Sequence, residues 1–465
     1  MQRETKNKNN NDMNKKFVYF ICVVAAMGGL LFGYDWVVIG GAKPFYEVYF
    51  GIADSATMQG LAMTVALVGC MIGATLCGTL ADSIGRKRLL IVSSLIFFFS
   101  ALATGAFNGF EAFLCARFAG GVGIGVASGL SPMYIAEVSP SSIRGRLVSL
   151  NQMTIVLGIL GAQVTNWLIA DDIPDGVVAA DSWNVLMGWR WMFWAAAVPS
   201  AAFFALALFV PESPRWLMLK GRRSEAEAIV KRLGYGSVEM ADGEQKAKRQ
   251  DGNWRRLMQC SRVLALGLFI AVFQQWCGTN VIFNYAQEIF QGAGYEVGDV
   301  LFNIVITGIA NVVFTIVAIN TVDRWGRRSL MLLGAGGLCL VYLVLGCCYY
   351  MQVTGAFMVV LVVAAIGCYA MTLGPCTWVL ISELFPNSVR AVAVSLCTFA
   401  LWVGSSTLTY TFPLLNGALG SYGTFWIYSA VCAVGFIFLF FRLPETKGKS
   451  LEQLEKEFSQ ADARN

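Results

Sequence analysis

The sequence predicts an all-α polytopic membrane protein with twelve transmembrane helices in two six-helix halves. Three observations carry this. Of the 465 residues, 57% are hydrophobic and only 14% charged, where a soluble domain carries about a quarter charged. The apolar residues fall in runs of about the length a helix needs to cross a bilayer. And motifs of the first part of the chain return, in the same order, in the second.

Residues 1–16 ("MQRETKNKNNNDMNKK") are a polar, basic tail without the short apolar core or cleavage site of a signal peptide. The first half, 17–210, holds apolar spans at 17–41, 57–80, 89–108, 111–136, 147–170 and 191–210. Residues 211–262 are charged and include "SEAEAIVKRLG", which reads as short amphipathic linker helices. The second half, 263–441, holds spans at 263–290, 300–322, 329–350, 355–382, 388–413 and 422–441, and 442–465 form a second polar tail. Of the 34 Lys and Arg residues, all but Lys43, Arg117 and Arg190 fall in the tails, the linker and the short loops of one side. The positive-inside rule then places both termini and the linker in the cytoplasm. The net charge of +5 is accounted for by membrane-flanking loops and does not point to nucleic acid.

The thirteen cysteines lie mostly inside apolar spans, with no CxxC pair and no histidine anywhere. Zinc sites of the Cys/His kind are excluded, and membrane-buried thiols act as small apolar packers. No metal or cofactor is expected. No nucleophile–base pair or phosphate loop appears, which argues against an enzyme.

The repeats are specific. "DSIGRKR" (82–88) returns as "DRWGRRS" (323–329), "AEVSPSSIRGR" (136–146) as "SELFPNSVRAV" (382–392), and "PESPRWL" (211–217) as "PETKGKS" (444–450). With six spans per half, the two copies face the same way across the membrane. Such repeats place substrate at mid-membrane, between halves that rock against each other.

Three groups of residues carry chemistry. Asp35 sits inside the first span, where a lone carboxylate costs several kcal/mol unless paired, hydrated or protonated. The seventh span, "GLFIAVFQQWCGTNVIFNYAQEIF", carries Gln274, Gln275, Asn280, Asn284 and Gln287. Asn280, Asn284 and Gln287 share one face of a straight helix. A break at Gly278 would let Gln274 and Gln275 converge with them. Amides both donate and accept, which suits a neutral polyol; the plain alternative is hydrogen bonding between helices. Finally, Asp82, Arg86, Arg88, Glu137 and Arg144 have partners in the second half, Asp323, Arg327, Arg328, Glu383 and Arg390. Positive-inside topology explains the basic members but not the repeated acidic ones.

The chain resembles the sugar porters of the major facilitator superfamily, and among them the bacterial D-xylose–proton symporters. The residues that carry this are "GLLFGYD" (29–35), "DSIGRKR", "RFAGGVGIG" (117–125), "SPMYIAEVSPSSIRG" (131–145), "PESPRWL", "QQWCGTN" (274–280), "DRWGRR", "GPCTWVLISELFPNSVR" (374–390) and "PETKG" (444–448). The resemblance implies the major facilitator fold and uptake of a monosaccharide with a proton by alternating access, D-xylose first among the sugars. It implies a sugar site of Phe32, Gln152, Gln274, Gln275, Asn280, Asn311, Trp378 and Trp402, and a proton-coupling pair of Asp35 with Arg117. It implies that Asp82, Arg86, Glu137, Arg144, Asp323, Arg327, Glu383 and Arg390 bridge helices when the cytoplasmic side is closed and separate when it opens. Animal facilitators of the family carry Asn where Asp35 stands, so the carboxylate favours symport. Asn284 stands where the xylose symporters usually have Tyr, and Leu401 replaces a Gln, which leaves the choice of sugar open. The alternatives are a proton-independent glucose or hexose facilitator and, more remotely, a transporter-like sugar sensor. Its partners are then sugar, proton and lipid, and the protein is expected to be a monomer in a bacterial inner membrane. The lack of any N-x-[ST] sequon fits that setting.

Overall fold

The structure is a computed structural model. It describes residues 14–140, 143–171, 179–234, 260–292, 294, 297–385 and 389–445. Tail residues 1–13 and 446–465, linker residues 235–259 and the side chains of Asp323 and Arg390 lie outside the described residues.

Every regular element among the described residues is helical. The first helix, α1 (Lys15–Phe50), starts where Asn14 Oδ1 accepts from the Phe17 N–H at 3.2 Å and ends at Gly51 in the left-handed region. Then follow α2 (Ala56–Ile84), α3 (Arg86–Ala106), α4 (Phe110–Val138), α5 (Arg144–Ile169) and α6 (Asn184–Ala207), whose first turn is a π-helix. Two short helices come next: α7 (Pro214–Leu219), capped by Ser213 with Pro214 at its first turn, and the amphipathic α8 (Arg223–Leu233). The rest are α9 (Ser261–Trp276), α10 (Thr279–Asn284), α11 (Ala286–Gly292), α12 (Val297–Trp325), α13 (Arg327–Tyr350), α14 (Ala356–Met371), α15 (Leu373–Glu383) and α16 (Arg390–Arg442).

Among the described residues, eleven helical runs are long and apolar enough to cross a membrane. One of them, α16, has 53 residues and a non-helical Gly420 (φ 69°, ψ 173°). Straight, it would measure about 80 Å, against a hydrocarbon core of about 30 Å. Gly420 therefore divides it into two crossings, and the count becomes twelve. Large apolar side chains such as Phe99, Leu168 and Val198 are more than 60% exposed on the outside of the bundle. That surface is suited to lipid rather than water.

Among the earlier helices α1 packs on α5 and α2 on α4; among the later ones α13 and α9 pack on α16. The two sets meet where α2 touches α16 and where α5 touches α12.

One expectation is corrected and a second is refined. The first span does not stop at residue 41: α1 continues to Phe50 and takes Lys43 and Glu47 into the interior. Lys43 is buried because its ammonium is paired twice, with Glu47 one turn on (2.9 Å) and with Glu288 of α11. A hydropathy boundary ends at the first charge; a paired charge goes in. The seventh span, expected over 263–290, is three helical pieces, α9, α10 and α11, with breaks at Gly278 and Tyr285.

Candidate functional site

Asp35 and Arg117 find each other. α1 and α4 pack side by side, and Arg117 Nη1 donates to Asp35 Oδ1 at 2.7 Å while Nη2 reaches the Asp35 carbonyl at 3.3 Å. Both residues are buried, at 6% and 2% exposure. The guanidinium also lies over the Phe193 ring, 5.3 Å from its centroid. A buried pair of this kind offsets desolvation only in part. Its geometry is monodentate: Asp35 Oδ2 and Arg117 Nε have no hydrogen-bond partner among the described residues. A carboxylate with one oxygen held and one free has an atom on which a proton can sit without first displacing the arginine.

The amides form a chain. Gly278 breaks the seventh span with φ +87°, and a Cβ there would lie 2.8 Å from the Tyr428 ring. Only glycine allows both the turn and the contact. Across that break Asn280 Nδ2 donates to Gln275 Oε1, Gln275 Nε2 to Gln274 Oε1 at 2.5 Å, and Gln274 Nε2 to the Tyr369 hydroxyl at 2.5 Å. All three amides are at most 4% exposed. Each link leaves further donors or acceptors for a polyol. Tyr369, at the end of α14, was not among the residues singled out from the sequence. A tyrosine in an apolar run is ordinary, and only its contact with Gln274 marks it.

The expected common face of Asn280, Asn284 and Gln287 is not kept. Tyr285 leaves the helix (φ −126°, ψ 25°), and the two ends part. Asn284 lines a small cavity with Phe32, Trp36, Arg117 and Trp402. Gln287 instead lines a cavity of about 340 Å³ near Lys43, Glu47, Glu288 and Gln291.

The aromatic residues also divide. Phe32 stacks on Trp36 (5.5 Å between centroids) and lies 5.9 Å from Trp402, which is buried. Leu401 is buried beside it in sequence. Trp378 is 43% exposed and makes none of the described ring contacts, so it is not gathered with Phe32 and Trp402. Asn311 on α12 is buried and Gln152 on α5 half-buried.

At the end of the bundle that carries the repeated motifs, the charges are paired twice over in the same pattern. Arg86 holds Glu137 by two bonds of 3.0 Å and reaches Asp82 at 3.0 Å. Glu137 also accepts from the Ser213 hydroxyl at 2.5 Å. Glu212 Oε1 accepts from the N–H groups of Arg86 and Lys87, at 2.9 and 3.1 Å, and so caps α3. In the second copy Arg327 reaches Glu383 at 3.2 Å, and Glu445 accepts from the N–H groups of Arg327 and Arg328 at 3.0 and 3.2 Å. The glycine before each capped helix has positive φ, and a Cβ on Gly85 or Gly326 would press on the capping glutamate at 2.4 or 2.6 Å. Glu212 and Glu445 belong to the PESPR and PETKG repeats. The repetition flagged the motifs, but a cap on another helix is invisible until that helix is placed.

These pairs stay within their own copy of the repeat. Arg144 is exposed and has no described ion pair. Among the described ion pairs, only Lys43–Glu288 joins the earlier helices to the later ones. None of the described motif-end ion pairs crosses between the two sets.

A family model described as sugar (and other) transporter matches residues 21–458. The chain is 34% identical to the D-xylose-proton symporter of Escherichia coli K12, with 96% of both chains covered. It is 35% identical to the arabinose-proton symporter of Bacillus subtilis, with 95% of both covered, and 32% identical to the glucose facilitated diffusion protein of Zymomonas mobilis, with 96% and 98% covered. Its structure is similar to the inward-open xylose transporter of Escherichia coli, with a TM-score of 0.83 at 33% identity over 95% of this chain and 99% of that one.

Proposed function

This chain belongs to the sugar transporter family, an integral membrane protein and not an enzyme, and on that premise we propose that it is a proton-coupled monosaccharide symporter, with D-xylose as first substrate. The observation that carries the coupling is the buried pair of Asp35 and Arg117, with one carboxylate oxygen free. A facilitator needs no such group, and keeping a charge pair inside a bundle without use is unfavourable. The sugar lies against the chain of Asn280, Gln275 and Gln274, with Gln152 and Asn311 facing in and Phe32 and Trp402 against the sugar's C–H face. The E. coli and B. subtilis relatives carry pentoses by name and the Z. mobilis relative glucose, at similar identity, so a monosaccharide is supported and xylose is the first sugar to test. The motif end, with both termini, faces the cytoplasm of a bacterial inner membrane; the halves run over 17–210 and 263–441, and the protein works as a monomer.

The test is uptake into proteoliposomes of D-xylose, L-arabinose, D-glucose and D-galactose, each with and without an inward proton gradient. Accumulation of a pentose only with the gradient is the expected result. Equilibration without accumulation in both conditions makes the protein a facilitator, in line with the Z. mobilis relative.

Two further expectations arise here. Asn284→Tyr with Leu401→Gln alters the pocket wall at the two departures from the xylose-symporter pattern. We expect a changed ratio of pentose to hexose affinity in a binding panel. An unchanged ratio places both side chains away from the sugar.

The second concerns the gate. The pairs of Arg86–Glu137 and Arg327–Glu383 hold each half's cytoplasmic end, and several such partly buried pairs bias a two-state equilibrium by about 1–3 kcal/mol. Glu137→Gln removes the charge that joins Arg86 and Ser213. Labelling of cysteines placed along α4, α5 and α15, in a background without reactive native thiols, is expected to rise from the cytoplasmic side. Arg144→Ala, which breaks no described pair here, is expected to change it less. Labelling of Glu137→Gln at or below the parent's level counts against the gate.

A further inference from the structure

The small cavity beside Asn284 lies between the earlier and the later helices. Phe32, Trp36 and Cys70 line it, with Arg117, from the earlier helices; Asn284 and Trp402 come from the later ones. Its volume is about 10 Å³, counted as the space open to the centre of a water molecule. On that measure one water needs roughly 10–15 Å³. Four of the lining side chains carry a buried polar atom with no partner: Trp36 Nε1, Arg117 Nε, Trp402 Nε1 and Asn284 Oδ1. Arg117, Asn284 and Trp402 are at most 3% exposed. Orphaned buried polar atoms are few in native proteins, and a cluster of four around one cavity needs a reason.

The chemistry of the four is one-sided. The guanidinium Nε–H and the two indole N–H groups only donate, and the amide oxygen only accepts. No two of these side chains are bonded to each other. A water molecule fits this set: it accepts from Arg117 Nε–H and from an indole N–H, and donates to Asn284 Oδ1. Buried waters usually make about three such bonds. The bond from arginine is charge-assisted and correspondingly strong.

We propose that this cavity binds a single water molecule that joins the Asp35–Arg117 pair to Asn284, and so links the charge pair to the sugar site. The link rests on the sugar site proposed above, because Asn284 ends the helix that begins with Thr279 and Asn280. It runs from Asp35 through Arg117 and water to Asn284, and from there along α10 to the amide chain. A change in charge at Asp35 redistributes the hydrogen bonds of Arg117, and the water carries that change to the wall of the sugar site. The link also spans the two sets of helices, so parting them at this level breaks it. Around the pair, the Cys70 thiol on α2 and the Tyr34 and Tyr46 hydroxyls on α1 are the nearby titratable groups, and Asp35 is the one carboxylate in a described ion pair with Arg117.

The test is a double-mutant cycle on sugar affinity at one pH, by calorimetry on the full-length protein. The probe is whichever of D-xylose, L-arabinose or D-glucose binds the parent most tightly. Asp35→Asn is expected to change Kd about tenfold in the parent and less than twofold in the Asn284→Leu background, because the amide oxygen is gone. Trp36→Phe removes one donor while keeping a ring, and is expected to reduce the effect as well; if Asn284→Leu does not fold, it decides by the same criterion. The same factor in every background, or no change in the parent, overturns the link. A density map at a resolution that shows waters is the direct check: density within hydrogen-bond distance of both Arg117 Nε and Asn284 Oδ1 supports the site, and its lack there overturns it. Proton-driven uptake by the parent is measured alongside. A parent that fails to accumulate sugar loses symport, while non-additive affinities keep the water link in a facilitator.

Discussion

Gln275→Ala or Asn280→Ala is expected to weaken sugar binding by roughly 1–3 kcal/mol each, a factor of about five to 150. Each amide is one link of the chain Asn280–Gln275–Gln274–Tyr369. Removing Gln275 takes away its own hydrogen bonds and also strands Asn280 Nδ2 and Gln274 Oε1 in a buried site. The cost is that of unsatisfied polar groups as well as of lost contacts with a polyol. The two losses are therefore not additive: the double variant is expected to lose less than the sum of the singles, because the second mutation removes a group the first had already stranded. Binding of xylose, arabinose, glucose and galactose is measured by calorimetry on purified protein, with elution volume and circular dichroism as controls for fold. Parent-like affinity for all four sugars in both variants would place the site elsewhere in the bundle.

How much of this was legible in the sequence depends on how far each feature reaches. The broken seventh span was legible, because amides stand on both sides of Gly278 and a straight helix cannot bring them together. The contact of Asp35 with Arg117 was expected from the resemblance to the sugar porters, not from spacing. The residues alone marked Asp35 as a carboxylate that must be paired, hydrated or protonated at membrane depth. What was not legible depends on pairs distant in sequence. Lys43 reads as the outer limit of the first span until Glu288 is placed beside it. Gln287 reads as continuing the face of Asn280 until Tyr285 turns the chain. Tyr369 has no local signal at all. The capping roles of Glu212 and Glu445 lay in repeated motifs, yet the helices they cap begin more than a hundred residues earlier.

Asp35→Asn is expected to keep measurable sugar binding, with the roughly tenfold change in Kd expected above, and to keep sugar exchange while abolishing accumulation driven by a pH gradient. Asparagine imitates the protonated acid in size and keeps an oxygen toward Arg117 Nη1, so the 2.7 Å contact is weakened in charge rather than lost in shape. What it lacks is a proton to release. In the symport mechanism proposed above, a proton taken up on one side would neutralise Asp35, loosen its hold on Arg117 and let α1 move with the sugar; on the other side the proton would leave and Arg117 recapture the charge. The free Oδ2 matters here, because protonating it leaves the bond through Oδ1 in place as a weaker, neutral–cation contact. Asp35→Asn therefore holds the transporter in the loosened state in both orientations. Counterflow of labelled sugar is expected to persist, and uptake in proteoliposomes to reach equilibrium but not exceed it, whatever the gradient. Arg117→Lys serves as the companion: it keeps the charge but not the planar fork, and accumulation is expected to fall without disappearing. If Asp35→Asn still concentrates sugar against its gradient, the pair only holds α1 against α4, and the proton travels by another group.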